Sequence, residues 1–202
     1  MTRWTDHNDT ERMVMLQQAA DTEGLPEYAV EKDWWVTMVL KAMFQTSVTK
    51  WLEFKGGTSL SKGWRLIERF SEDIDLALSY RYFAEILENN NQLKMLRKRC
   101  RKFVVGTLAD ELREQMSALG LKDFDVIPEL ADEAGNMIST DADPTVIYVN
   151  YRSVANSHSE YMPSRVKVEV SCLSMDEPFE VKDFGTMISS VFLWKMAICM
   201  AR

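Results

Sequence analysis

Apolar positions set the first elements of the chain. Met13, Leu16, Ala19 and Ala20 recur at helical spacing and predict a helix from Asp9 to about Thr22. Gly24-Leu25-Pro26 breaks it, and Pro26 suits the first turn of a second helix running to about Phe44. That helix carries Glu31-Lys32-Asp33 near its start and is strongly apolar afterwards, so it is expected to pack against the main body. Trp51 to Phe54 reads as a short strand ended by Gly56-Gly57. Thr58 or Ser59 then offers an N-cap for a helix through Leu60, Trp64 and Ile67. Asp73-Ile74-Asp75-Leu76 alternates like a half-buried strand. A helical region follows from Ser79 to about Leu119, with a break at Asn89-Asn90-Asn91.

The second half changes period. Phe124 to Ile127, Val146 to Tyr151 and Arg165 to Val170 are strand-like, separated by polar or proline-containing segments. A last helix is expected from about Thr186 to the end. The pattern predicts an α+β fold with a mixed sheet flanked by helices, not a regular βαβ series. It reads as a single domain over residues 1–202, with N-terminal helices at about 9–45, an α+β core at about 50–185 and the start of a C-terminal helical region at about 186–202.

Composition narrows the class. Of 202 residues 46% are hydrophobic, enough for a packed core. Apolar runs are too short to span a bilayer, and the N-terminus lacks a signal-peptide core, so a cytoplasmic protein with no membrane partner is expected. Cys100, Cys172 and Cys199 are far apart and odd in number, which favours buried reduced thiols over a disulfide framework or a zinc site. His158 falls in a polar stretch that reads as a loop. The net charge of −7 excludes a general polyanion binder. One local exception is the run from Lys94 to Lys102. If it is helical, Lys94, Arg97, Lys98 and Arg101 form one stripe that suits an RNA backbone or, equally, a solvated face.

The chemistry centres on Asp73 and Asp75. On a strand, residues two apart share a face, so these carboxylates stand side by side. Adjacent carboxylates repel unless neutralised, and Mg²⁺ (or Mn²⁺) favours one or two carboxylates plus substrate phosphates. Alone, Asp-x-Asp is weak evidence. Just upstream lies Lys55-Gly56-Gly57-Thr58-Ser59, a strand-to-helix turn. Its glycines permit close backbone approach, its helix start offers N–H groups to phosphate, and Lys55, Thr58 and Ser59 add a cation and hydroxyls. In Val166-Lys167-Val168-Glu169-Val170 the valines share one face, leaving Lys167 and Glu169 on the other. If that strand lies beside the one bearing Asp73, Glu169 becomes a third acid, and three carboxylates suffice for two metal ions. Asp123-Phe124-Asp125 lacks a glycine turn, and Asp141-Ala142-Asp143-Pro144 looks like a loop; both rank lower.

Glu31-Lys32-Asp33-Trp34-Trp35, Lys55-Gly56-Gly57-Thr58-Ser59-Leu60-Ser61-Lys62 and Arg69-Phe70-Ser71-Glu72-Asp73-Ile74-Asp75-Leu76 together resemble the AbiEii/AbiGii toxin family. That family sits in the nucleotidyltransferase superfamily, related in fold to DNA polymerase β. The resemblance runs from about Leu25 onward. It implies a bacterial type IV toxin or phage-defence (abortive infection) protein encoded beside an antitoxin, transferring a nucleotide from an NTP with Mg²⁺ to RNA such as tRNA, or to protein. By position, Gly56, Gly57 and Thr58 match the nucleotide-binding turn, Asp73 and Asp75 the metal pair, Glu169 the third acid, and Lys195 a late-helix lysine that approaches the triphosphate. It also implies a helical region beyond Arg202. Two other readings stay open: a nucleotide-binding module without catalysis that acts through a partner protein, and a phosphotransferase on the same fold.

Overall fold

The computed structural model describes residues 4–67, 71–83, 89–155, 163–172, 179–188 and 196–201. Helix α1 (Asp9–Glu23) opens with a reciprocal cap: the Asn8 side chain accepts from Glu11 N, and the Glu11 carboxylate accepts from Asn8 N, each at 3.0 Å. It ends on Gly24, whose φ of 67° is the left-handed conformation a helix stop requires. Helix α2 (Glu27–Met43) starts directly after Pro26 and lies between α1 and the sheet, packing against α5 (Ala109–Ala118) as well.

Strand β1 (Leu52–Lys55) leads into α3 (Gly56–Thr58), which widens into a π turn over Ser59–Gly63. The helix therefore begins earlier and stops sooner than its sequence suggests. Lys55 is its N-cap, and Thr58 and Ser59 lie inside it. Strand β2 (Ile74–Leu78) follows, and then α4 (Asn90–Phe103), capped reciprocally by Asn89 and Gln92 at the expected break. A π turn at Val104–Leu108 joins α4 to α5. Strands β3 (Phe124–Pro128), β4 (Thr145–Tyr151) and β5 (Arg165–Ser171) fall where period-two patterning places them.

All of these join one mixed seven-stranded sheet in the order β3-β4-β5-β2-β1-β7-β6. Strand β2 runs parallel to β5 and antiparallel to β1. The last two strands, β6 (Phe179–Phe184) and β7 (Met196–Ala201), correct the C-terminal expectation. The closing segment is an extended strand that pairs antiparallel with β6 and parallel with β1. A short apolar run fits helix or strand by period alone, and here it completes the edge of β1. Lys195 lies outside the described residues, as does His158.

A second correction concerns the thiols. Cys100 of α4 and Cys172, just past β5, form a disulfide with Cα atoms 6.5 Å apart, joining segments 72 residues apart in the chain. Spacing along the chain carries no sign of this, because the pair meets only after the helix packs beside the sheet end. Among the described residues, no helix is long and apolar enough to cross a membrane.

The core runs from α1 through α2 to the inner sheet face, where Ile74, Leu76, Ile147, Val149, Val166, Val168 and Val170 are buried. Trp34 and Trp35 belong to this core, and Trp35 stacks on Tyr151 with ring centroids 4.7 Å apart. Every position of α2 from Ala29 to Leu40 is buried, including three consecutive charges. Burying a charge is costly unless it is paired. Glu31 accepts from Ser153 Oγ (2.5 Å), Val154 N (2.7 Å) and Ala155 N (3.3 Å). Lys32 pairs with Glu72 at 2.5 Å and donates to the Pro163 carbonyl at 3.2 Å. Asp33 pairs with Lys62 and accepts from Met187 N at 2.8 Å. Asp33→Ala would remove the buried carboxylate that pairs with Lys62 and accepts from Met187 N. We expect a loss of about 3 kcal/mol or more in urea unfolding, and a smaller loss for Asp33→Leu combined with Lys62→Met. A loss as small as that of a surface substitution would contradict this role.

Candidate active site

The register of three strands builds the site. Across β1, β2 and β5, Lys55 stands opposite Asp75, and Asp75 opposite Glu169. Asp73 precedes β2 on the same side as Asp75, and Lys167 lies on the same side as Glu169. The parallel pairing of β2 with β5 thus brings the two aspartates and Glu169 to one face, leaving Ile74 and Leu76 in the core.

Gly56 fits this row closely. Its φ is 74°, and a β-carbon there would overlap the Asp75 carboxylate. Only glycine allows both the turn and the backbone's approach to that carboxylate. Thr58 works differently from expectation. It is fully buried, and its hydroxyl donates to the Asp73 carbonyl at 2.5 Å while the Ser71 hydroxyl lies 2.8 Å away. Thr58 therefore fixes the backbone that presents Asp73. Ser59 is buried beside it, its hydroxyl without a hydrogen-bond partner among the described residues.

Electrostatics mark the aspartates as short of positive charge. Asp75 is raised from the ordinary carboxylate value by burial first, then by Glu169 and Asp73, against the opposing pull of Lys55 and Lys167. Asp73 is also raised, chiefly by burial, with Glu72 and Glu169 adding to it and Lys167 opposing. Two carboxylates held together in this state suit an oxygen-preferring divalent cation. Glu169 is otherwise engaged: Lys167 Nζ lies 2.5 Å from its Oε1, and this contact raises the lysine. Among the described residues, no three His, Cys, Asp or Glu side chains are gathered tightly enough to coordinate one ion. The aspartates supply oxygen ligands of the kind such a cation takes, while Oε1 of their neighbour Glu169 is shared with Lys167.

The basic run does not form a single stripe. Arg101 is buried and donates to the Glu129 carbonyl at 2.9 Å, so it braces α4 against the end of β3. Arg97 is half-buried, and Lys94 lies 3.9 Å from Asp141. Lys98 is exposed and also acts on Asp141. The lower-ranked acids have structural uses. Asp143 accepts from Cys172 N (3.0 Å) and Ser171 Oγ (3.1 Å), and Asp123 lies 3.5 Å from Arg152.

Sequence reasoning gave no role to Lys32, Asp33, Lys62 and Glu72, the buried pairs that hold the segments around the site. The signal was present: three consecutive charges in an otherwise apolar helix must find partners.

A carboxyl with a raised pKa binds more protons in the folded than in the unfolded state. Stability therefore falls as pH rises from the unfolded Asp value through the folded one. At neutral pH the ionised Asp75 is a liability. Asp75→Asn is expected to raise the melting temperature at pH 7 in a chelator, with the gain shrinking as pH drops below the ordinary carboxylate range. A lower melting temperature at pH 7 would refute this.

Residues 39–199 match the family model described as nucleotidyl transferase AbiEii toxin, type IV TA system. No curated protein matches the chain. Among solved structures, it is similar to MenT4, nucleotidyltransferase toxin Rv2826c from Mycobacterium tuberculosis H37Rv, at 18% identity and a TM-score of 0.49. That alignment covers 93% of this chain and 54% of the other, so the chain spans about half the length of that protein. The family match extends over β1, the glycine turn, the aspartate pair and β5, and on that ground the chain belongs to the AbiEii nucleotidyltransferase toxin family of type IV toxin–antitoxin systems.

Proposed function

We propose that this chain is the catalytic core of a Mg²⁺-dependent nucleotidyltransferase toxin that transfers NMP from an NTP to an RNA acceptor, tRNA being the foremost candidate. A cognate antitoxin would restrain it in a toxin–antitoxin or abortive-infection setting. The observation that carries this reading is the row Lys55–Asp75–Glu169, with the Gly56 backbone set against the Asp75 carboxylate.

The reaction needs four things from the protein. The triphosphate must be held, and the Lys55-Gly56-Gly57 turn supplies a cation and close backbone at the top of β1. The carboxylates must be fixed, which the β2 ladder and Thr58 achieve. An acceptor hydroxyl must attack the α-phosphorus in line while the bond to the β-phosphate oxygen breaks and pyrophosphate leaves. A divalent cation bound by Asp73 and Asp75 would neutralise phosphate charge and make the hydroxyl more acidic. Glu169 would join that pair once Lys167 turned to another anion, such as a substrate phosphate.

The test is incubation with each α-labelled NTP, Mg²⁺, total bacterial RNA and total protein. Label should pass to RNA with release of pyrophosphate. Release of NDP would indicate phosphoryl transfer, and NTP binding without any labelled product would indicate a non-catalytic module; either outcome refutes the proposal. Asp73→Asn and Asp75→Asn are each expected to lower transfer by about a hundredfold or more and to relieve growth arrest. Gly56→Ala should do likewise by pushing the Asp75 carboxylate out of the row, with the fold retained by circular dichroism. Transfer by Gly56→Ala at the wild-type rate would remove the close backbone approach from the mechanism.

A further inference from the structure

The acid row has two flanks. On the β1 side lies the Lys55-Gly56-Gly57 turn. On the other side the sheet continues through β5, β4 and edge strand β3. In-line transfer requires donor and acceptor to meet at the carboxylates from opposite directions. With the triphosphate at the glycine turn, the acceptor comes over β5 and β4.

That flank carries a distinct set of side chains. Tyr148 of β4 stands opposite Lys167, and Asn150 opposite Arg165. By strand alternation these four share the face of Glu169 and Asp75. The Arg165 guanidinium lies over the Tyr148 ring, 4.4 Å from its centroid. The Tyr148 hydroxyl donates to Glu129 Oε1 at 3.2 Å, which pins the ring from its far end. Arg165 is exposed, and Tyr148 and Asn150 are partly so. Beyond them Ile127 of β3, opposite Tyr148, is 47% exposed, and Asp125, opposite Asn150, bounds the patch with an acid. Strands lie about 4.8 Å apart and residues two along a strand about 6.7 Å, so Tyr148 is roughly 12 Å from Asp75 across the sheet.

We infer that Tyr148 and Arg165 form a stacking platform for an unpaired base near the acceptor end of a single-stranded RNA. This rests on the nucleotidyl-transfer reading and specifies how the acceptor is held. Unpaired bases stack on aromatic rings and on guanidinium planes. Here the guanidinium already lies over a ring tethered by Glu129, so the pair is preorganised for a base. The Asn150 amide stands beside it with both donor and acceptor capacity. Lys167, between platform and acids, meets the backbone phosphate that links the stacked nucleotide to the reacting one. Charge agrees with this occupant: on an acidic protein, this flank presents Arg165 and Lys167 to a polyanion.

The test is equilibrium binding of a short fluorescent single-stranded oligoribonucleotide to the full chain, read by anisotropy without NTP. Binding of Mg-NTP is read separately by thermal shift. The double variant Tyr148→Leu/Arg165→Gln should weaken oligonucleotide binding by about tenfold or more and leave the NTP shift unchanged. Arg165→Lys keeps the charge but not the plane, and should lose most of that affinity too. Tyr148→Phe keeps the ring but loses its tether to Glu129 and should bind between wild type and the double variant, while the unchanged NTP shift guards against a folding artefact in the double variant. A DNA oligonucleotide of the same sequence and a duplex RNA are expected to bind more weakly. Equal RNA binding by wild type and double variant, full retention in Arg165→Lys, or no RNA binding by the wild type would each overturn the platform. An absent NTP shift alongside platform-dependent RNA binding would refute nucleotidyl transfer and leave the platform standing.

Discussion

The three buried charges of α2 hold the segments around the acid row in place. A helix buried around its whole circumference cannot send Glu31, Lys32 and Asp33 to solvent. Successive residues point about 100° apart, so the three reach in different directions. Each meets a different segment: Glu31 the backbone at Ser153 to Ala155, Lys32 the residue before Asp73, and Asp33 both Lys62 at the end of the π turn and the backbone at Met187. Replacing such pairs with apolar groups often improves stability, so their contribution is better read as specification of position. Lys32 reaches through Glu72 to the backbone of Asp73, and Asp33 secures the helical segment that starts at the glycine turn. The two halves of the candidate site are thereby referred to one rigid helix.

The site itself runs against stability. Asp73 and Asp75 share one strand face, are partly desolvated and lie near a third acid, all of which raises their proton affinity. A purely structural strand would place polar but uncharged residues there. Lys167 and Lys55 relieve part of the repulsion, one from each neighbouring strand, without quenching the pair. This is the usual relation between a preorganised charged site and the fold that carries it.

How much of this was legible in the sequence follows from the range of the interactions. The strand at Asp73 to Leu78 and the valine face of β5 show as period-two patterning, a local property. Their juxtaposition needed one topological assumption, which the parallel β2–β5 pairing meets. The capping of α1 and α4 and the Asn89 break are also local. Features set by distant contacts were out of reach. Thr58 looked like a phosphate ligand but its hydroxyl serves the Asp73 carbonyl. Arg101 looked like part of a solvent-facing stripe, yet it is drawn inward to Glu129. The C-terminal segment from Met196 looked helical because it is short and apolar, and only the open edge of β1 makes it a strand. The Cys100–Cys172 bond likewise exists only in three dimensions.

Sheet order gives the site its polarity. Had β1 and β5 lain on the same side of β2, the glycine turn and the Lys167–Glu169 pair would compete for one flank. Because β2 lies between them, the glycine turn and the cationic face of β4 and β5 are separated by the carboxylates. Strands also suit this task mechanically, since a ladder paired on both sides fixes side-chain spacing far more tightly than a loop does. β2 is paired on both sides over Asp75, with Lys55 and Glu169 as its partners. Asp75, at the centre of the acid row, is therefore held by a strand on either side.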